Sequence, residues 1–103
     1  MARLSARASA TGRTLRLLAN GKRLMALCHL APGERSVGEL AALVGLSQSA
    51  LSQHLARLRA AGMVAVRREA RTAHYRLADP AVAQLIRFLY RLYCRPAPKQ
   101  RKS

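Results

Sequence analysis

The chain has little that could make it negative: four acidic residues stand against 19 Lys and Arg, a formal net charge of +15. It lacks tryptophan, and aromatic residues make up 4% of the chain. A core here has to be built from aliphatic side chains, which the 50% hydrophobic content supplies. Two cysteines, Cys28 and Cys94, are too few for a disulfide scaffold, and no CxxC or Cys/His cluster accompanies them. The setting expected is reducing and cytoplasmic. No apolar run approaches the roughly 18 residues of a spanning helix, and the Arg/Ala/Ser-rich start has no apolar signal region. With 103 residues the sequence suits one domain, and its charge points to a polyanion as partner, nucleic acid before a membrane surface.

The basic character is not confined to the ends. Residues 1–14 carry Arg3, Arg7 and Arg13 without a clear apolar period and are expected as a basic flexible tail. A second basic tail is expected over 96–103, where two prolines precede three cations. Seven of the 19 cations fall outside Leu15 to Cys94, which leaves 12 against all four acids and a net +8 on that stretch. Residues 15–95 are therefore expected to form one folded domain that is itself basic.

Punctuation within that stretch is local and clear. Asn20-Gly21 stops a first apolar segment around Leu15, Leu17 and Leu18. Leu24, Leu27, Cys28 and Ala31 recur at helical spacing until Pro32-Gly33. Ser36 and Glu39 have the spacing of a capping box, opening a helix with a Val37, Leu40, Ala41, Val44 stripe. Gly45 ends it and Ser47 caps another, which buries Leu51, Leu55 and Leu58 and closes at Gly62. The period then changes. Met63–Val66 and Thr72–Leu77 read as strands, with Arg68-Glu69-Ala70-Arg71 as the tip between them. Asp79-Pro80 opens a last helix with the stripe Val82, Leu85, Ile86, Leu89, Leu92 and Tyr93. The order predicts a mainly α fold with a small β-hairpin wing, the winged helix-turn-helix.

Such a fold has a use on DNA. On a helical wheel Ser49, Ser52, Gln53 and Ala56 lie opposite the leucine stripe, where small and amide side chains admit a helix to the major groove. Ser47 and Gln48 at the helix start suit phosphate, and Arg57, His54, Arg67, Arg68 and Arg71 flank the helix or arm the wing. Each of these residues alone is as readily a solvated surface group. Together they make double-stranded DNA the expected partner. His29, His54 and His74 form no nucleophile-base-orienter set, so no enzyme activity and no cofactor are expected.

The segment from Ser47 through Gln53-His54-Leu55 to Gly62-Met63-Val64 resembles the recognition-helix signature of ArsR/SmtB repressors, and the resemblance runs from about Leu15 to Cys94. It implies a homodimer on an inverted-repeat operator, with first and last helices at the interface, and repression relieved by an inducer. The metal-sensing patterns are absent: Ser36-Val37-Gly38 stands where the arsenic type has Cys-Val-Cys, and the last helix has no His. The surroundings of Cys28 and Cys94 are instead similar to the persulfide-responsive BigR/SqrR group, which implies a dithiol sensor at those two positions and reactive sulfur species as inducer. By themselves the residues make Cys28 more readily a small core side chain than a sensor. A metal(loid)-responsive repressor and an architectural DNA binder with silent cysteines remain the alternatives.

Overall fold

The computed structural model describes residues 2–94, with side chains for residues 4–93. The elements run α1 (Ala2–Leu18), α2 (Gly21–Leu30), β1 (Arg35–Ser36), α3 (Val37–Val44), α4 (Gln48–Ala60), β2 (Val64–Glu69), β3 (Thr72–Leu77) and α5 (Pro80–Leu89), followed by a π-helical turn over Tyr90–Cys94.

The sequence signals that set these boundaries act over three or four residues. Asn20 Oδ1 accepts from the Arg23 amide at 3.0 Å and starts α2. Both halves of the capping box form: Ser36 Oγ accepts from the Glu39 amide, and Glu39 Oε1 accepts from the Ser36 amide. Gly45, at φ 79°, ends α3 in the left-handed region, where a side chain would be strained. Two residues later Ser47 Oγ accepts from the Ala50 amide and begins α4. The turn between α3 and α4 is thus held by a cap on each side, which fixes how α4 leaves the body of the domain. Asp79 Oδ1 accepts from the amides of Ala81 and Val82, with Pro80 at the start of α5.

The core is aliphatic. Leu27, Leu40, Leu51, Leu55, Leu58 and Ile86 are fully buried, with Leu30, Val44 and Met63 nearly so. Burying a side chain of this size is worth about 1.5–3 kcal/mol. Helix α2 is central, packing on α1, α3, α4, α5, β3 and the π-helical turn. The three-stranded antiparallel sheet has the order β1-β3-β2, with Val64 opposite Leu77 and Glu69 opposite Thr72.

Four features differ from the sequence reading. The helix starts at Ala2, so the boundary expected at residue 14 falls inside α1. Ala and Arg favour a helix without any apolar stripe, so no apolar period marks it. The first wing strand is displaced toward its tip, running to Glu69 so that Ala70 and Arg71 alone make the turn. Strand β1 has no counterpart among the expected elements, because two residues become a strand only through pairing, here Arg35 with Tyr75 and Ser36 with His74. Lastly, α5 passes into the π-helical turn, and Leu92 and Tyr93 are exposed rather than continuing the buried stripe. A widened turn rotates the residues after it off the preceding face. The tail expected over 96–103 lies outside the described residues.

Candidate nucleic-acid interface and thiol site

Helix α4 shows solvent the face that the leucine stripe leaves over. Ser49, Ser52, Gln53, Ala56 and Arg57 are exposed, and Gln48 beside them is too. The Gln48 amide lies near Gly38, 3.5 Å from where a β-carbon there would stand. Ser47 has its hydroxyl oxygen engaged as the cap of α4. His54 flanks the helix on its packed side. It is half-buried, with Nδ1 3.4 Å from Arg23 Nη1. The Arg23 guanidinium is itself fixed, since Nε donates to the Leu17 carbonyl at 2.8 Å.

The wing divides its arginines. Arg68 and Arg71 are exposed on either side of Ala70, whose φ of 55° makes the tip tight. Arg67 is held by carboxylates. Its Nη2 and Nε donate to Glu34 Oε1 and Oε2 at 2.7 and 3.3 Å, and Nη1 donates to Glu69 Oε1 at 3.1 Å. The hydrogen bond from Arg67 lowers the Glu34 carboxyl pKa below its ordinary value, and the two carboxylates raise that of Arg67. His74 Nε2 stands 3.9 Å from Glu69 Oε1. The sequence places Arg67 with the wing cations and does not announce Glu34 as its partner, although an acid is rare enough here to be a signal.

Cys28 lies on α2 at 2% exposure and is disulfide-bonded. The backbone of the turn that ends at Cys94 packs against α2; the side chain of Cys94 lies outside the described residues. His29, next to Cys28, is half-buried, and burial first and the Arg35 charge second lower its pKa. Its carbonyl accepts from Arg35 Nε at 2.7 Å. The segment after the thiol helix is therefore tied back to it, and β1 within that segment joins the wing sheet. No group of three or more His, Cys, Asp or Glu converges as a metal site among the described residues. Among them, too, no helix is long and apolar enough to cross a membrane.

A winged helix-turn-helix with this exposed helix face and basic wing defines a class of DNA-binding regulators, and comparison with known proteins narrows it. Residues 20–66 match the family model described as bacterial regulatory protein, arsR family. The chain is 52% identical to the transcriptional activator HlyU of Vibrio cholerae over 80 residues, 78% of this chain and 74% of that protein. It is 49% identical to the biofilm growth-associated repressor of Agrobacterium fabrum over 90 residues, 87% and 77% of the two. The solved structure of reduced V. cholerae HlyU superposes with a TM-score of 0.86 at 44% identity, covering 92% of this chain and all of the other. A homodimeric winged helix-turn-helix DNA-binding domain from Mycobacterium bovis superposes at 0.76 with 35% identity, covering 89% and 85%. The chain belongs to the arsR family of bacterial regulatory proteins. It is a DNA-binding transcriptional regulator, and its relatives are regulators rather than enzymes.

Proposed function

We propose that the protein is a homodimeric repressor whose operator affinity falls when reactive sulfur species link Cys28 to Cys94. The observation that carries the reading is Cys28 itself, a buried, disulfide-bonded residue on the helix that supports every other helix of the domain. The similarity to a protein solved in a state named reduced supports a redox change in this lineage. The dimer face is α1 with the end of α5, where Leu15, Phe88, Leu92 and Tyr93 remain half or more exposed. Monomers rarely tolerate a patch of that kind. Each protomer sets α4 in a major groove, with Gln53 reading a base edge and Arg68 and Arg71 on phosphate, at half-sites about one helical turn apart.

The chemistry balances with an organic persulfide as the oxidant. One cysteine thiolate attacks the outer, sulfane sulfur of RSSH, breaks its S–S bond and becomes a cysteine persulfide, releasing RSH after protonation. The second thiolate attacks the protein-bound inner sulfur and expels hydrosulfide, leaving a disulfide. With two persulfides consumed, two RSH and one hydrogen sulfide are released and the bridge retains one extra sulfur.

The test is operator binding by fluorescence anisotropy, on reduced and persulfide-treated protein, with mass spectrometry of the bridge. A useful switch changes affinity by about 5–150-fold. Cys28→Ser and Cys94→Ser are expected to bind operator and ignore persulfide. Release of operator by either variant on treatment overturns the two-thiol reading, and equal affinity of the reduced wild type for operator and random duplex overturns the specific repressor.

A further inference from the structure

A cleft of about 590 Å³ opens between the second half of α1 and the C-terminal half of α4. Arg13, Arg16, Arg23 and Arg57 line it together with Thr14 and Leu17. Among the described residues no carboxylate contributes to its walls. The four acidic side chains of the protein are all engaged elsewhere: Glu34 and Glu69 on Arg67, Glu39 in the capping box, Asp79 at the start of α5. One of its cations is also pre-positioned, since Arg23 is anchored by the Leu17 carbonyl and by His54 of α4. Position at a helix end accounts for Arg16 or Arg57 taken singly, through the negative end of the helix dipole. It does not account for Arg13 or for convergence from three helices.

We propose that this cleft binds a phosphate group through Arg13, Arg16, Arg23 and Arg57. Guanidinium groups are matched to phosphate oxygens in charge and fork geometry, and more so where the fork is held in advance. Two sources carry that chemistry: a backbone phosphate of the DNA bound beneath α4, and a free phosphoanion. The first rests on the DNA-binding reading and the second does not.

The experiment uses the full-length reduced protein and the variant Arg13→Gln/Arg16→Gln, which spares Arg23, the α4 face and the wing. Glutamine keeps helix propensity close to that of arginine, and far-UV circular dichroism checks the fold. Arg7→Gln/Arg87→Gln, with both changes on exposed arginines outside the cleft, is the charge-matched control. In one arm pyrophosphate is titrated while amide and arginine Nε–H resonances are followed by NMR. In the other, operator and random-duplex affinities are measured from 50 to 200 mM salt. Occupancy by DNA lowers the magnitude of the slope of log affinity against log salt by up to about 0.9 per protomer, one phosphate, in the cleft variant, with little change in the control and preference for operator retained. An unchanged slope, with pyrophosphate shifts at residues 13–17, 23 and 57 that the cleft variant loses at least fivefold, assigns a free phosphoanion. Neither effect, or a slope that falls equally in the control, overturns the site. A wild type without operator preference would instead defeat the specific-repressor reading, and the pyrophosphate arm would still report on the cleft.

Discussion

Glu34→Gln is expected to tighten DNA binding. Arg67 uses Nε, Nη1 and Nη2 on two carboxylates, so the base of the wing is a cluster of one cation and two anions beside the Arg68 and Arg71 tip. The amide preserves the shape of Glu34 and an acceptor oxygen while removing one negative charge. If the wing lies along the DNA backbone, Arg67 then neutralises a phosphate it otherwise cannot. Each phosphate gained steepens the log–log salt slope by about 0.9, and over a fourfold change in salt this corresponds to about 3.5-fold in affinity per protomer. For a dimer the gain at 50 mM relative to 200 mM salt is about tenfold. Anisotropy titrations at four salt concentrations measure it, and the double variant Glu34→Gln/Arg67→Gln is expected to restore the wild-type slope. Thermal stability should hardly move, because exposed ion pairs contribute little. An unchanged slope, or a slope that stays steep in the double variant, would refute the placement of Arg67 beside phosphate.

Gln53→Ala should reduce the preference for operator over random duplex by about 1–3 kcal/mol if its amide pairs with a base edge, and competition binding at matched salt reads it. Ala70→Gly should stabilise the fold by about 0.5–1 kcal/mol, because relief of the left-handed backbone at φ 55° outweighs the added chain entropy of glycine. Calorimetry should show that gain as a rise of about 2–8 °C in Tm, and a fall would remove the strain argument. The His29 imidazole has its pKa lowered by burial and by Arg35, so the unfolded chain binds the proton more readily. Its contribution is intact above the ordinary value near 6.5 and is lost as pH falls through the lower folded value. Melting curves between pH 7.5 and 5 should lose part of that slope in His29→Gln; an identical profile in wild type and variant would assign the slope to other groups.

The parts of the fold that are legible in the sequence are those fixed by neighbours three or four residues apart. Ser36 with Glu39, Gly45 with Ser47, and Asp79 with Pro80 each carry their own boundary, and the structure has helices starting or stopping there. The Leu51/Leu55/Leu58 stripe likewise determines which face of α4 is left outside. Features that depend on a distant partner are not legible. Strand β1 exists through Tyr75 and His74, and nothing within Arg35-Ser36 announces it. Leu15 and Leu18 belong to one apolar segment in the sequence, yet Leu18 turns into the core at 7% exposure while Leu15 stays half exposed. Three residues along a helix change the face only modestly, so the outcome depends on where α2 lies against α1.

The candidate site divides in the same way. The helix face is readable because amphipathicity is a property of one element. The assignments of single cations are not, because Arg67 and Arg68 are adjacent in sequence and differ in which acids come within reach. The scarcity of acids sharpens this point. With four carboxylates for the whole chain, each contact they make is a choice, and Glu34 spends its carboxylate on the wing strand from the segment immediately after the thiol helix. Arg35 beside it bonds the His29 carbonyl with its side chain and pairs with Tyr75 of β3 through its backbone. With Cys28 bonded in a disulfide the Arg35–His29 bond is in place, so a change between bridged and reduced Cys28 that shifts the end of α2 must either break that bond or carry β1 and Glu34 with it. The first loosens the wing and the second moves it. For an inducer acting at a buried thiol, that short segment is a physical route to Arg68 and Arg71, and it runs alongside the direct packing of α2 on α4.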